Sequence, residues 1–198
     1  MNLPNKLTLI RILLVPLLLF FGLFCFPGKY GEAISRFITA AIFITAAVTD
    51  FVDGKIARKR GLITDFGKFM DPLADKFLIF SAILVFISSP MYQKDAVFHI
   101  VLVVCGAIVI FRELAVTSLR LVVMSSPKPV VIAASWYGKA KTMSQCIWGG
   151  VIILEPVLFW FFPFPILSWI STLVMTFLTV LSGVDYMKNY WSYLDPNK

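Results

Sequence analysis

The chain has 198 residues, of which 59% are hydrophobic and 15% charged, and its formal net charge is +7. Soluble domains carry about 25% charged residues, so the composition excludes an ordinary soluble domain and indicates an integral membrane protein. The basic residues are scattered over short segments and form no single stripe, which argues against a nucleic-acid partner.

Six apolar segments are predicted to be membrane-spanning helices, since each hydrocarbon crossing needs about 20 residues. They lie near residues 7–26, 33–52, 69–89, 96–123, 143–161 and 164–187. The last two could also form one apolar region broken by Pro163 and Pro165. The first is predicted to be retained, because it is longer than a signal-peptide core and contains Arg11. We therefore expect an all-α protein whose residues 1–198 form a single membrane-embedded domain.

The distribution of basic residues predicts the orientation in the lipid bilayer. If both termini lie on one side, fifteen of the eighteen Lys and Arg residues lie there too. The positive-inside rule then places the termini, the segment near residues 50–76 and the 125–141 loop in the cytoplasm.

Four aspartates are the strongest functional signal. Asp50, Asp53, Asp71 and Asp75 fall within twenty-six residues and supply four of the eleven carboxylates. Ionised carboxylates beside hydrocarbon are costly unless something compensates them. Hard divalent cations prefer oxygen ligands and are often bound by protein carboxylates and substrate phosphates together. Two such cations about 4 Å apart are suited to phosphoryl transfer.

The spacing of these residues predicts two polar stripes. Asp50, Asp53 and Ala57 share one face of a helix, and Gly67, Asp71 and Asp75 share another. Packing of the two helices would bring the four carboxylates together. Because proline suits the first turn of a helix, Pro72 predicts that the third helix begins close to Asp71 and leaves Gly67 in the preceding turn.

Two other readings of the aspartates are open. Asp50 or Asp71 could simply pair with an arginine or lysine at a helix end. The cluster could also belong to a divalent-cation or proton-coupled transporter, which would place acidic groups at mid-bilayer and on both sides of it.

Basic residues later in the chain favour a phosphorylated substrate. Arg112 and Arg120 are eight residues apart on roughly one helix face, and Lys139 and Lys141 precede the next span. Arginine offers a fork suited to phosphate, and buried arginines need anionic partners. Alternatively, Glu113 or one of the aspartates pairs with them.

The aspartates belong to a longer motif, Asp50-x2-Asp53-Gly54-x2-Ala57-Arg58-x8-Gly67-x3-Asp71-x3-Asp75. This motif resembles the signature of the CDP-alcohol phosphotransferase family. Four further segments, at residues 2–11, 69–76, 111–120 and 138–145, resemble the bacterial branch of that family that makes phosphatidylglycerophosphate.

The resemblance implies a six-helix catalytic domain in the bacterial cell membrane, usually a homodimer, that uses Mg²⁺ or Mn²⁺. Two divalent cations would be held by the four aspartates, and Asp75 would also be the general base. The CDP moiety would contact Gly54, Ala57, Arg58 and Gly67, with Asn5, Thr8 and Arg11 within reach from the first helix.

The reaction that the resemblance implies is transfer of a phosphatidyl group from CDP-diacylglycerol to glycerol 3-phosphate, with release of CMP. The same chemistry with another acceptor, such as inositol phosphate or serine, is the nearest alternative. We expect a phosphorylated acceptor to bind Arg112, Arg120, Lys139 and Lys141.

Overall fold

A computed structural model of the protein describes residues 2–24, 26, 30–60, 64–88, 93, 95–125, 135–159 and 165–193. The side chains of residues 3, 4, 51–60, 65 and 68 lie outside that description. The described part contains six long helices and no strand. They are α1 (Leu3–Leu23), α2 (Gly31–Arg60), α3 (Asp65–Ser88), α4 (Ala96–Met124), α5 (Trp136–Leu158) and α6 (Ile166–Tyr190), followed by a short 3₁₀ turn at Trp191–Tyr193.

Each predicted segment corresponds to one helix, and the last two are separate helices, α5 and α6. The predicted start of the third helix was wrong. Helix α3 begins at Asp65, so Gly67 lies in its first turn and Pro72 lies inside it. The Thr64 hydroxyl accepts a hydrogen bond from the Gly67 amide at 3.0 Å, which is N-cap geometry. This cap fixes the start of the helix ahead of the proline.

The six helices pack as a ring in the order α1, α2, α5, α6, α4 and α3, with α3 closing on α1. Contacts between side chains give the directions. Thr8 meets Asp71, so α1 and α3 are parallel at that end, whereas Arg11 meets Asp50 on the antiparallel α2. Consecutive helices alternate in direction, which brings the amino end of α1 and the carboxyl end of α2 to the same end of the ring.

The core lies in the middle of the ring and is apolar. The Trp148 ring is fully buried, stacks edge-on against Phe86 at 5.2 Å, and donates its indole N–H to Thr172 at 2.9 Å. Gly149 lies against the Phe43 ring so closely that a Cβ there would come within 2.3 Å of it. Close approach of α2 and α5 therefore depends on this glycine.

The outer surface of the ring is apolar, as expected of a multi-pass membrane protein. Phe111 is 74% exposed and Leu13 is 67% exposed, and such side chains require hydrocarbon around them. Within the described ranges, four helices are long and apolar enough by themselves to cross a bilayer. These stretches are Asn5–Leu23, Gly31–Asp50, Ala96–Met124 and Ile166–Tyr193. Helix α3 has Asp71, Asp75 and Lys76 in its first half, and α5 has Lys139 and Lys141 in its first two turns.

Candidate active site

Charged residues collect at the end of the ring where α1, α3 and α5 begin and α2, α4 and α6 end. Asp50 comes from α2, and Asp71 and Asp75 come from α3. Asp50 is about one-third exposed in its side chain, and Asp71 and Asp75 are exposed residues of α3. The predicted stripe on α3 is confirmed as a continuous helical face from Gly67 to Asp75.

Asp50 is paired with an arginine from the first helix. The fully buried Arg11 guanidinium lies with Nη1 2.7 Å from Asp50 Oδ1. A buried guanidinium requires an anionic partner, and Asp50 supplies it. The alternative reading, an aspartate paired with an arginine, therefore holds for Asp50. Sequence reasoning considered Arg11 only as a CDP contact, although its place inside an apolar span was a signal for such a pair.

Asp71 is held by a second residue of α1. The buried Thr8 hydroxyl donates a hydrogen bond to Asp71 Oδ1 at 2.6 Å. One turn earlier, the Asn5 side chain accepts a hydrogen bond from the Thr64 hydroxyl at 3.0 Å. Asn5 and Thr8, the predicted CDP contacts, thus lie beside the carboxylate cluster formed by Asp50, Asp71 and Asp75. They connect α1 to the start of α3.

Gly67 lies at the centre of these contacts. A Cβ at this position would stand 3.2 Å from Asn5 Oδ1, 3.3 Å from Thr64 Oγ1 and 3.8 Å from Asp71 Oδ2. The first two distances are tighter than ordinary van der Waals contact. A side chain would therefore crowd the polar groups around Asp71, which explains why this turn of α3 uses glycine.

Asp75 lies one turn further along α3. The charges of Asp50, Arg11, Lys141 and Glu113 all act on its carboxylate. Asp75 is therefore close enough to interact with the Arg11–Asp50 pair and with a second group of charges. The next residue, Lys76, donates a hydrogen bond to the Thr117 hydroxyl of α4 and ties α3 to that helix.

The second group of charges centres on Glu113, which is 9% exposed. Its Oε1 contacts Lys141 from α5 and lies 3.4 Å from Arg112 Nη1. Arg112 also donates a hydrogen bond to the Ser182 hydroxyl of α6. The alternative in which Glu113 pairs with the predicted phosphate-binding cations is therefore realised for Arg112 and Lys141. Two cations, Arg112 and Lys141, and one anion, Glu113, therefore lie together in a buried position between α4 and α5.

Arg120 and Lys139 are placed differently. Arg120 Nη2 donates to the Tyr186 hydroxyl at 3.2 Å, and its guanidinium lies over the Tyr186 ring at 5.6 Å from the centroid. Arg112 lies over the same ring, also at 5.6 Å. Sequence reasoning missed Tyr186, which joins the two arginines as a shared cation–π partner. Lys139 is exposed at the start of α5, two residues before the buried Lys141.

Four predicted site residues have side chains outside the described part of the structure. They are Asp53, Gly54, Ala57 and Arg58. The backbone of α2 is helical through all four positions. The expectation that Asp53 and Ala57 share a face with Asp50 therefore agrees with the backbone, while the positions of the side chains stay predictions.

Acidic residues at the opposite end of the ring have local structural partners. Glu32 pairs with Arg36 of the same helix at 3.0 Å. Asp95 caps α4 by accepting two backbone hydrogen bonds at 3.1 Å. The buried Glu155 accepts backbone and hydroxyl hydrogen bonds from Ser168 at the start of α6. A transport pathway would need acids available on both sides of the membrane, and these three are engaged as caps or pairs.

The residues at the motif end fit divalent cations in their chemistry. Asp50, Asp71 and Asp75 offer only oxygen ligands, which Mg²⁺ and Mn²⁺ prefer. The contact between Arg11 and Asp50 already places one positive charge at that position. Among the side chains that the structure describes, no three His, Cys, Asp or Glu residues are grouped closely enough to hold a metal ion, and Asp53 lies outside that set.

Comparison with known proteins gives a consistent result. The family model for CDP-alcohol phosphatidyltransferase matches residues 1–182. The chain belongs to this family. The family generally uses divalent cations, and the resemblance predicted from the aspartate motif is confirmed.

Curated relatives of the CDP-alcohol phosphatidyltransferase family align over almost the whole chain. A Bacillus subtilis (strain 168) protein named CDP-diacylglycerol–glycerol-3-phosphate 3-phosphatidyltransferase is 37% identical over 98% of this chain and 97% of its own length. A Rickettsia felis protein of the same name is 33% identical over 94% of each chain. A probable phosphatidylglycerophosphate synthase of Mycobacterium tuberculosis (strain H37Rv) is 38% identical over 94% of this chain and 80% of its own.

Proposed function

We propose that the protein transfers the phosphatidyl group of CDP-diacylglycerol to glycerol 3-phosphate, giving phosphatidylglycerophosphate and CMP. The names of relatives that align over nearly their full length support this reaction. The structural observation that carries the proposal is the convergence of motif carboxylates and buried cations at one end of the ring. Asp75 lies within electrostatic range of both Asp50 and Lys141, so donor and acceptor phosphates would meet beside it.

The donor side of the site would use the family motif. We propose that Asp50, Asp53, Asp71 and Asp75 hold two divalent cations, Mg²⁺ or Mn²⁺. When bound, these cations would offset the charge of the pyrophosphate and of the departing CMP. Thr8 and Arg11 orient Asp71 and Asp50 before any cation arrives, so less reorganisation accompanies binding.

The CDP moiety would lie against Gly54, Ala57 and Gly67, which have little or no side chain, and against Arg58. Asn5 and Thr8 would be at its edge. Asn5, Thr64 and Asp71 lie around Gly67, so a CDP moiety at this turn of α3 would meet their polar side chains. Arg58 would pair with the pyrophosphate.

The acceptor side would use the cations around Glu113. The phosphate of glycerol 3-phosphate would bind Arg112, Arg120, Lys139 and Lys141. Glu113 contacts Arg112 and Lys141, and Tyr186 contacts both arginines. These partners hold long side chains in place, and a dianionic phosphate is strongly attracted to several cations fixed in one orientation.

Asp75 would act as the general base. The acceptor hydroxyl oxygen attacks the phosphorus that carries diacylglycerol while its proton passes to an Asp75 oxygen. The new oxygen–phosphorus bond forms as the bond from that phosphorus to the CMP oxygen breaks, and CMP leaves with the electron pair. Positioning and electrostatic stabilisation would supply most of the rate enhancement.

The site suits a lipid substrate because it lies at one end of an apolar ring. The acyl chains of the donor can stay in hydrocarbon while the pyrophosphate reaches the charged end. We propose six membrane spans in a bacterial cell membrane with this end in the cytoplasm, where water-soluble acceptor and CMP exchange. The positive-inside distribution of Lys and Arg supports that orientation.

A homodimer is the assembly that the family resemblance supports. The mass of the purified protein in detergent, measured by light scattering with correction for bound detergent, tests it. A mass corresponding to one chain would contradict the dimer without affecting the proposed reaction.

The decisive experiment measures CMP release by purified protein with CDP-diacylglycerol, a divalent cation and one acceptor at a time. We expect release that requires both glycerol 3-phosphate and Mg²⁺ or Mn²⁺, and little release with inositol phosphate or serine. If another acceptor is preferred, the proposed reaction type stands and the assignment of glycerol 3-phosphate as the acceptor is wrong. No release with any of the three would contradict the proposed function.

A further inference from the structure

A groove runs along the outside of the ring between α4 and α6, away from the aspartates. Its volume is about 640 Å³, within the range of about 300–1,000 Å³ that is typical of ligand sites. Its walls are mainly apolar side chains from the two helices, namely Ile108, Phe111, Ala115, Val180, Val184 and Met187.

The dimensions of the groove match one leaflet of a bilayer. Its lining extends from Ile108 to Val116 on α4 and from Val180 to Trp191 on α6 and the following turn. At a rise of 1.5 Å per residue these stretches are roughly 12 and 16 Å long. Half of a hydrocarbon core of about 30 Å is about 15 Å, so the groove reaches from the middle of the membrane to one surface.

The groove is charged at its surface end. Lys188 lies in the last turn of α6 and lines the groove beside the 61% exposed Trp191. Within the described residues, Lys188 forms no ion pair with an acidic side chain. A lysine and a tryptophan at the depth of lipid headgroups are suited to a phosphate and to the interface around it.

We propose that this groove binds an anionic phospholipid of the bilayer that is not a substrate. One acyl chain lies between α4 and α6, and the headgroup phosphate contacts Lys188. A second copy of the chain fits less well. A two-fold interface in a membrane places the same residue of both copies at the same depth, so two Lys188 ammonium groups would face each other.

This inference goes beyond the proposed function because the groove is lined by residues outside the carboxylate cluster. Arg112 is the one residue that belongs to both regions. It forms part of the groove wall, and its guanidinium contacts Glu113 inside the ring. Variants that test the groove therefore leave Arg112 intact and change Lys188 or Ala115.

The test is native mass spectrometry of the full chain in detergent with equal amounts of phosphatidylglycerol and phosphatidylcholine of the same acyl chains. Divalent cations are removed with a chelator. We expect the wild type to retain phosphatidylglycerol about fivefold more than phosphatidylcholine, the factor that corresponds to about 1 kcal/mol per basic residue at an anionic surface. Lys188→Gln should abolish the preference, and Lys188→Arg should keep it.

Filling the groove gives an independent test. Ala115→Phe should reduce retention of both lipids, whereas Val104→Phe, at an exposed position of α4 outside the groove, and Lys6→Gln, at an exposed lysine of α1, should match the wild type. Inorganic phosphate should not displace the lipid.

Three results would overturn the proposal. If Lys188→Gln keeps the preference for phosphatidylglycerol, Lys188 does not contact the headgroup. Loss of retained lipid in Arg58→Gln would place that lipid at the active site. Unchanged lipid retention in Ala115→Phe together with an altered oligomeric mass would assign this face to contact between copies.

Discussion

At the end of the ring where α6 begins, Glu155 accepts hydrogen bonds from the backbone amides of Leu167 and Ser168 at 2.7 and 2.6 Å. At the other end, Asp71 and Asp75 are exposed and Asp50 is in contact with Arg11. Both groups of carboxylates lie in an apolar protein and must be compensated. Glu155 is satisfied by groups of its own helix connection, whereas Asp50 and Asp71 are held by side chains of another helix, α1, at partly or fully exposed positions. The motif aspartates can therefore bind a substrate or cation, whereas Glu155 has no free position for one.

The largest expected effect is on turnover at the motif end. In Asp75→Asn the acceptor hydroxyl loses its proton acceptor, so kcat should fall at least about 100-fold, the usual contribution of general base catalysis. CMP release measures kcat, and titration with a CDP analogue measures donor affinity, which should change much less. A variant with near-normal kcat would remove the base assignment.

The second effect is on the stability of the charge cluster around Glu113. Glu113→Gln leaves Lys141 and Arg112 buried without their carboxylate, and breaking such a buried pair costs about 3–5 kcal/mol. Unfolding of the detergent-solubilised protein measures the free energy lost. Glu32→Gln is the matched control, since its pair with Arg36 is exposed and contributes about 0.5 kcal/mol. Equal stability of the two variants would contradict a structural role for Glu113.

The third effect should appear in stability alone. Glu155→Gln preserves the shape of the side chain but removes the charge that the α6 amides bind, so we expect a loss of about 2 kcal/mol. The free energy of unfolding should fall while kcat/KM per folded molecule is unchanged. A comparable fall in kcat/KM would show that this end of the ring also supports the reaction.

The smallest effect concerns the link between α1 and Asp71. Thr8→Val removes the hydrogen bond to Asp71 Oδ1 and keeps the volume of the side chain, at a cost of about 1 kcal/mol. We expect kcat/KM to fall about fivefold and the free energy of unfolding to fall by no more than about 1 kcal/mol. Thr8→Ser should restore the wild-type rate, because its hydroxyl can make the same bond. If Thr8→Ser and Thr8→Val lose the same activity, the hydrogen bond does not orient Asp71.

The predicted helices agree with the described ones where the prediction depended on the spacing of residues along a single helix. The periodicity from Gly67 to Asp75 predicted one helical face, and α3 has that face. The predicted start of α3 rested on Pro72 alone and was wrong, because Thr64 precedes the first turn and Pro72 lies inside the helix. The Thr64 hydroxyl caps the Gly67 amide, and a cap at the right distance decides where a helix begins even when a proline follows.

The amino acid sequence by itself determined the apolar composition, the six helical segments and the family motif, because these depend on residue type and on spacings within one helix. Only the tertiary structure decided that Arg11 contacts Asp50, that Thr8 holds Asp71 and that Glu113 joins Arg112 to Lys141. Those contacts connect residues of different helices, and the order of helices around the ring, which spacing along the chain does not encode, determines which side chains meet.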